Sequence, residues 1–182
     1  MTWIRTISGK RINLLEPTPE SIDFGDIATA LSNICRFAGH TPVFYSVLQH
    51  SLEVANLFAS DDPAYKYALL HDAHEAVTGD IVTPVKVVIN GPDSAPLRDL
   101  QCRIDSAIFR AAGLEYPMPS DIEARVFAAD LFTLRRELCD VIGADPKVYE
   151  IPNTEHFTCQ ARITPATDLS KLRIDWLKAL DL

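Results

Sequence analysis

Apolar residues recur along most of this chain at spacings of three and four, the pattern of helices that bury one face. The first segment departs from it. Trp3, Ile4, Ile7, Ile12 and Leu14 flank Ser8-Gly9-Lys10, which predicts a short β-hairpin over Thr2 to Leu14 with a glycine turn. After Pro17 and Pro19 the pattern turns helical. Ile27, Leu31 and Ile34 predict a helix from Asp26 to Phe37, broken by Gly39 and Pro42. Val47, Leu48, Val54, Ala55 and Phe58 predict a longer one from Val43 to Ala59. Pro63 suits the first turn of a third, running to about Thr78 and stopping at Gly79. A short segment from Pro84 ends at Asn90-Gly91-Pro92. Leu97 to Ala112 follows, with Gly113 as its C-terminal stop. Another helix opens at Pro119-Ser120-Asp121 and reaches Gly143. Residues 144–164 read as irregular or weakly extended, and Leu169, Leu172, Trp176, Leu177 and Leu180 mark a last helix. About six helices and one hairpin make an all-α class, because strands do not alternate with helices. The 182 residues suit one domain over 1–182, with no repeat or long linker.

Composition narrows the function more than the fold. Apolar residues are 47 % and charged residues 23 % of the chain, an ordinary globular mix. No apolar run approaches the ~20 residues of a membrane span. Met1-Thr2-Trp3-Ile4-Arg5-Thr6 lacks the apolar core of a signal peptide, so the expected location is cytoplasmic, with no membrane partner. Cys35, Cys102, Cys139 and Cys159 are scattered, which fits packing thiols in a reducing compartment. A net charge of −8 argues against a duplex nucleic-acid partner, whose affinity rests on cations. A small anionic substrate stays open, since it needs only a few local cations or a metal.

The chemistry concentrates in His71-Asp72-Ala73-His74-Glu75-Ala76-Val77-Thr78-Gly79-Asp80, entered through the largely apolar Tyr67-Ala68-Leu69-Leu70. Helical spacing puts Glu75 one turn beyond His71 and Asp72. His50 and Asp130 lie on two further apolar helices. A buried imidazole and a buried carboxylate both need partners, and a shared divalent cation serves both. Two imidazoles and two carboxylates suit Zn, Co, Mn, Fe or Ni, and Mg less well. Each residue alone has a plainer reading: His50 a satisfied core histidine, Asp130 an ion-pair partner, Glu75 a solvated helix residue, Arg36 a surface arginine. The ordered set, each member on an apolar helix, favours the metal.

The order H…HD…D resembles the signature of HD-domain phosphohydrolases. The stretch from His71 to Lys86 is similar to the H-D-A-x-E-x-x-T-G-D-x-x-T-P-V-K run of bacterial 5′-deoxynucleotidases in that superfamily. Gln49-His50-Ser51-Leu52 resembles their segment around the first histidine. The run from Ile34 to His50 resembles a branch that includes phage dATP triphosphohydrolases. This resemblance implies a helical HD-domain bundle and one divalent ion held by His50, His71, Asp72 and Asp130. It implies Glu75 as the acid beside the attacking water, Arg36 as a phosphate ligand and Asp80 near the scissile ester and sugar. Phe37 stands where the deoxynucleotidases carry a tryptophan against the nucleoside. Lys86 matches a phosphate-contacting lysine of the triphosphohydrolase branch. A homodimer is implied as well.

His40 is placed in a loop with two open roles, a contact to base or phosphate and a helix-end hydrogen bond. His74 is turned about 100° per residue away from the ligands, which puts it behind them or on the surface; His156 is expected on the surface. The function expected is hydrolysis of a nucleotide phosphate ester, with a deoxynucleoside 5′-monophosphate as substrate. Alternatives are release of triphosphate from a dNTP such as dATP, hydrolysis of (p)ppGpp or a cyclic nucleotide, and a non-catalytic nucleotide-binding protein.

Overall fold

The computed structural model describes residues 1–149, 157–158 and 161–181. The chain opens with an antiparallel hairpin, β1 (Trp3–Arg5) against β2 (Arg11–Asn13), with Ile4 opposite Ile12. Gly9 turns it at φ +95°, a conformation that favours a residue without a Cβ. The Ser8 amide and hydroxyl both donate to the Asp26 carboxylate, at 3.0 and 2.6 Å, and tie the hairpin to the first helix.

That helix, α1 (Phe24–Asn33), starts where the Asp23 carboxylate accepts from the amides of Gly25 and Asp26. It stops short of the expected Phe37. Ile34 is already extended, and Cys35 forms a β-bridge with Ser46, so residues 34–46 leave the bundle and return. The second helix, α2 (Val47–Ala55), therefore begins after Ser46, whose hydroxyl accepts from the Gln49 amide, and not at Val43.

The single helix expected from Pro63 to Thr78 is two: α3 (Ala64–Leu70) and a one-turn α4 (Glu75–Thr78). Between them the backbone tightens to bonds spanning three residues, Ala73 N–H to Leu70 and Glu75 N–H to Asp72. The His71 ring itself donates from Nδ1 to the Ala68 carbonyl at 2.7 Å, taking an acceptor the helix would otherwise use. The remaining helices are α5 (Thr83–Asn90), α6 (Pro96–Ala111), α7 (Ser120–Glu137) and α8 (Leu169–Ala179). A π-turn over Leu138–Ile142 extends α7 towards Gly143. Seven helices of seven residues or more, against about six expected, make the described structure mostly helical.

Leu31, Leu48, Leu69, Leu70, Ile104, Ile108 and Trp176 are fully buried where α1, α2, α3, α6 and α8 meet. Each such side chain contributes about 1.5–3 kcal/mol relative to leaving it in water. The Trp176 indole N–H donates to the Leu69 carbonyl at 3.3 Å, fastening α8 under the end of α3. By contrast α5 buries no side chain, and Val87 and Val88 are exposed.

Among its described residues, the segment expected to be irregular holds a 3-10 turn, Pro146–Tyr149, and is pinned further on by Gln49. The Gln49 amide donates to the Thr164 carbonyl and accepts from the Ala166 N–H, both at 2.8 Å. The packing expected of the cysteines is not found: Cys35 is half-buried, and Cys102 and Cys139 are exposed. His156 and Cys159 lie outside the described residues. Among the described residues no helix is long and apolar enough to cross a membrane.

Candidate functional site

Three parts of the bundle deliver His50, His71, Asp72 and Asp130 to one point. His50 comes from the middle of α2, Asp130 from α7, and His71-Asp72 from the tight turn that ends α3. His50 Nε2 lies 3.2 Å from His71 Nε2, 3.1 Å from Asp130 Oδ1 and 3.5 Å from Asp72 Oδ2. His71 Nε2 lies 3.3 Å from Asp72 Oδ2 and 3.9 Å from Asp130 Oδ1.

The far nitrogens of the two rings decide what this means. The Ala68 carbonyl only accepts, so His71 Nδ1 carries its proton. His50 Nδ1 lies 2.7 Å from Glu137 Oε1, and that carboxylate is held ionised by Arg36 at 3.0 Å, so His50 Nδ1 is a donor too. In their neutral forms both rings then aim an Nε2 lone pair at the same point as two carboxylates. Donors bound about 2.0–2.2 Å from one ion stand roughly 3–3.5 Å apart at neighbouring positions. Four of the five separations fall in or close to that spacing, and the fifth, His71 to Asp130, is longer at 3.9 Å. The ligand atoms of His50, His71 and Asp72 all lie within 4.8 Å of one another, and this mixed nitrogen and oxygen set suits a first-row divalent ion.

The electrostatic surroundings of these groups are strongly polarised. Burial and the nearby Arg36 both oppose a charge on His50, yet Glu137 and Asp130 outweigh them and push its pKa up to about 10. Burial raises the Asp72 pKa, but His71, His50 and Arg36 hold it well below the usual carboxylate range. The protonated form of His50 and the ionised form of Asp72 are both favoured here.

Glu75 sits at the start of α4, buried, with Oε1 accepting from Lys86 Nζ at 3.2 Å and Oε2 without a hydrogen-bond partner among the described residues. Burial, then Asp72 and Asp80, raise its pKa to about 8 against the pull of Lys86 and His74. Asp80, half-buried after α4, is thus close enough for its charge to be felt at both Glu75 and Arg36. Lys86, half-buried on α5, turns its ammonium onto Glu75.

Arg36 is buried, not a surface arginine. Its Nη2 donates to Glu137, its Nη1 lies 3.6 Å from Asp72, and its Nε–H has no hydrogen-bond partner among the described residues. The next residues are strained: Phe37 and Ala38 take φ of 56° and 51°, conformations that cost side-chain-bearing residues about 1–3 kcal/mol each. The Arg36 guanidinium lies over the Phe37 ring at 5.3 Å, so Phe37 flanks the cluster. His40 is exposed at the end of this loop; its backbone N–H donates to the Phe37 carbonyl, and among the described residues no side-chain bond joins its ring to the cluster.

His74 is buried, which removes the surface alternative. Its Nδ1 lies 3.0 Å from Asp105 and its Nε2 accepts from the Gln101 amide at 3.0 Å, both on α6. Glu137 was absent from the candidates. The signal available was its place two turns after Asp130 on α7, at the end of the buried stripe Ile122, Val126, Ala129, Thr133.

Fold and site together define a mostly helical protein built around a buried histidine–carboxylate centre. No protein-family model matches the chain. It is 40 % identical over 148 residues to an uncharacterized protein of Rhodobacter capsulatus, across 78 % of this chain and 74 % of that protein. It is 38 % identical over 162 residues to the uncharacterized protein YfdR of Escherichia coli, across 86 % of this chain and 84 % of YfdR. The chain belongs to one family with these two proteins.

Proposed function

We propose that the protein is a metal-dependent phosphohydrolase of the HD superfamily that cleaves a nucleotide phosphate ester, with a deoxynucleoside 5′-monophosphate as substrate. The observation that carries the reading is the convergence of four metal-type donors beside a buried arginine and a buried, half-partnered glutamate. His50, His71, Asp72 and Asp130 would hold the ion. When bound, a divalent ion supplies charge neutralisation on the phosphoryl group and a more acidic water.

The chain's own residues do the rest. Arg36 turns a guanidinium towards two phosphate oxygens and steadies the charge that grows on them. Glu75 takes a proton from the attacking water as the phosphorus–oxygen ester bond breaks, and returns one to the departing sugar oxygen. Its raised pKa, about 8, suits both halves of that exchange near neutral pH. Phe37 and Asp80 border the point where the sugar would leave.

Lys86 favours a second reading, a dNTP triphosphohydrolase, because it brings another cation to the edge of the site. One assay separates the two: product release from dNMPs, NMPs and dNTPs with Co, Mn, Zn and Mg, resolved by chromatography. Inorganic phosphate from dNMPs is the expected result. Tripolyphosphate from a dNTP replaces it with the second reading. No product from either class overturns both and leaves signalling nucleotides or a binding role.

A further inference from the structure

We propose that Glu137 is a positioning residue that sets the metal-binding and phosphate-binding arms of the site at once, an inference that rests on the phosphohydrolase reading above. Glu137 is fully buried at the end of α7. One carboxylate oxygen, Oε1, accepts from His50 Nδ1 at 2.7 Å; the other, Oε2, accepts from Arg36 Nη2 at 3.0 Å. The two partners have different duties. His50 presents Nε2 to the ion only if its proton stays on Nδ1, and an acceptor-only carboxylate enforces that tautomer. Arg36 brings its charge to the phosphate only if the guanidinium is held against the cluster, and its Nη1 already reaches to 3.6 Å from Asp72. A single anion therefore fixes which nitrogen binds the metal and where the phosphate lands beside it.

Glutamine at this position has the same shape but one acceptor and one donor. Arg36 is all donor, so it claims the amide oxygen, and the NH₂ then faces His50 Nδ1. The imidazole moves its proton to Nε2 and loses the lone pair it aimed at the ion. If the amide flips, Arg36 is released instead. Either way one arm fails, which no ordinary loss of a core contact would reproduce.

The test uses the full chain and two simple probes, Co²⁺ alone and inorganic phosphate added to the Co²⁺-loaded protein, titrated calorimetrically for wild type, E137Q, R36A and the double variant. Co²⁺ affinity is expected to fall about 10–100-fold in E137Q, as for other partners of metal-bound histidines. Phosphate affinity is expected to fall in R36A and to fall no further when E137Q is added. Co²⁺ and phosphate affinities of E137Q within twofold of wild type would overturn the proposal while leaving the metal reading intact. A wild type that binds no divalent ion overturns the metal reading and this proposal with it. Should E137Q fail to fold, nitrogen-15 NMR of the wild-type protein with Zn²⁺ decides: a protonated Nδ1 and a metal-bound Nε2 on His50 are expected, and the reverse pattern refutes the role.

Discussion

His71 and His74 stand three residues apart on one turn, and both are largely buried, yet they meet opposite surroundings. His74 has Asp105 on one ring nitrogen and Gln101 on the other, so every polar atom of its ring is satisfied by α6. His71 has one nitrogen satisfied by a carbonyl and the other turned into a knot of lone pairs from His50, Asp72 and Asp130. Burial and residue type are the same in the two places. What differs is what faces the second nitrogen: one amide at His74, and a second imidazole with two carboxylates at His71. A pair of partners such as Asp105 and Gln101 leaves His74 a brace of the bundle; the charged and lone-pair-rich surroundings of His71 are those the proposed ion would use.

The sharpest way to break this contrast is at Asp72. Asp72→Ala is expected to lower Co²⁺ affinity at least ~100-fold and to abolish turnover, read by metal titration and phosphate release. Retained metal would dissolve the distinction between the two histidines. Glu75→Gln is expected to keep the ion and lose turnover by about 10²–10⁴-fold, the usual contribution of a positioned acid–base group; full activity in that variant would remove Glu75 from the chemistry. His74→Ala should do the opposite of Asp72→Ala. Metal affinity is expected to stay within a few-fold, while stability drops by ~1–3 kcal/mol because Asp105 loses its partner, measured by urea unfolding.

The smallest effect lies at the hairpin. Burial raises the Asp26 pKa, but the hydrogen bonds from Ser8, with Thr6 and Lys10, bring it net below the usual value. A depressed carboxylate stabilises above its unfolded pKa, about 3.9, and that gain is lost as pH falls through the folded value. Ser8→Ala is expected to cost ~1 kcal/mol at neutral pH and less in acid, with the difference between the two proteins fading below about pH 4. A pH-independent difference would separate the hairpin's anchoring from the Asp26 charge.

Much of the fold was legible in the chain because helix burial leaves a periodic trace. The hairpin, α6 and the α7 stripe fall close to where Gly9, Gly113 and the apolar spacing put them. Helix ends were less legible, and for local reasons. Ser46 and Asp23 are caps with ordinary neighbours, and the break at His71 depends on a ring taking the Ala68 carbonyl, which no periodicity records. His50, His71, Asp72 and Asp130 stood out because polar residues on apolar helices are conspicuous. Glu137 did not, because a glutamate near the end of a helix beside Arg135 and Arg136 looks like surface charge until Arg36, 101 residues earlier, is seen to reach it.

The fastening of α8 has a consequence for how the protein comes to be folded at all. Its Trp176 closes the core beneath α3, and Arg173 Nε donates to Ser32 Oγ across 141 residues of chain. Contacts between such distant partners form only after a large loss of chain entropy, and proteins that depend on them fold slowly. The last helix is therefore a long-range tie of the core, and Trp176 fluorescence in a Trp3→Phe background would report when that tie forms.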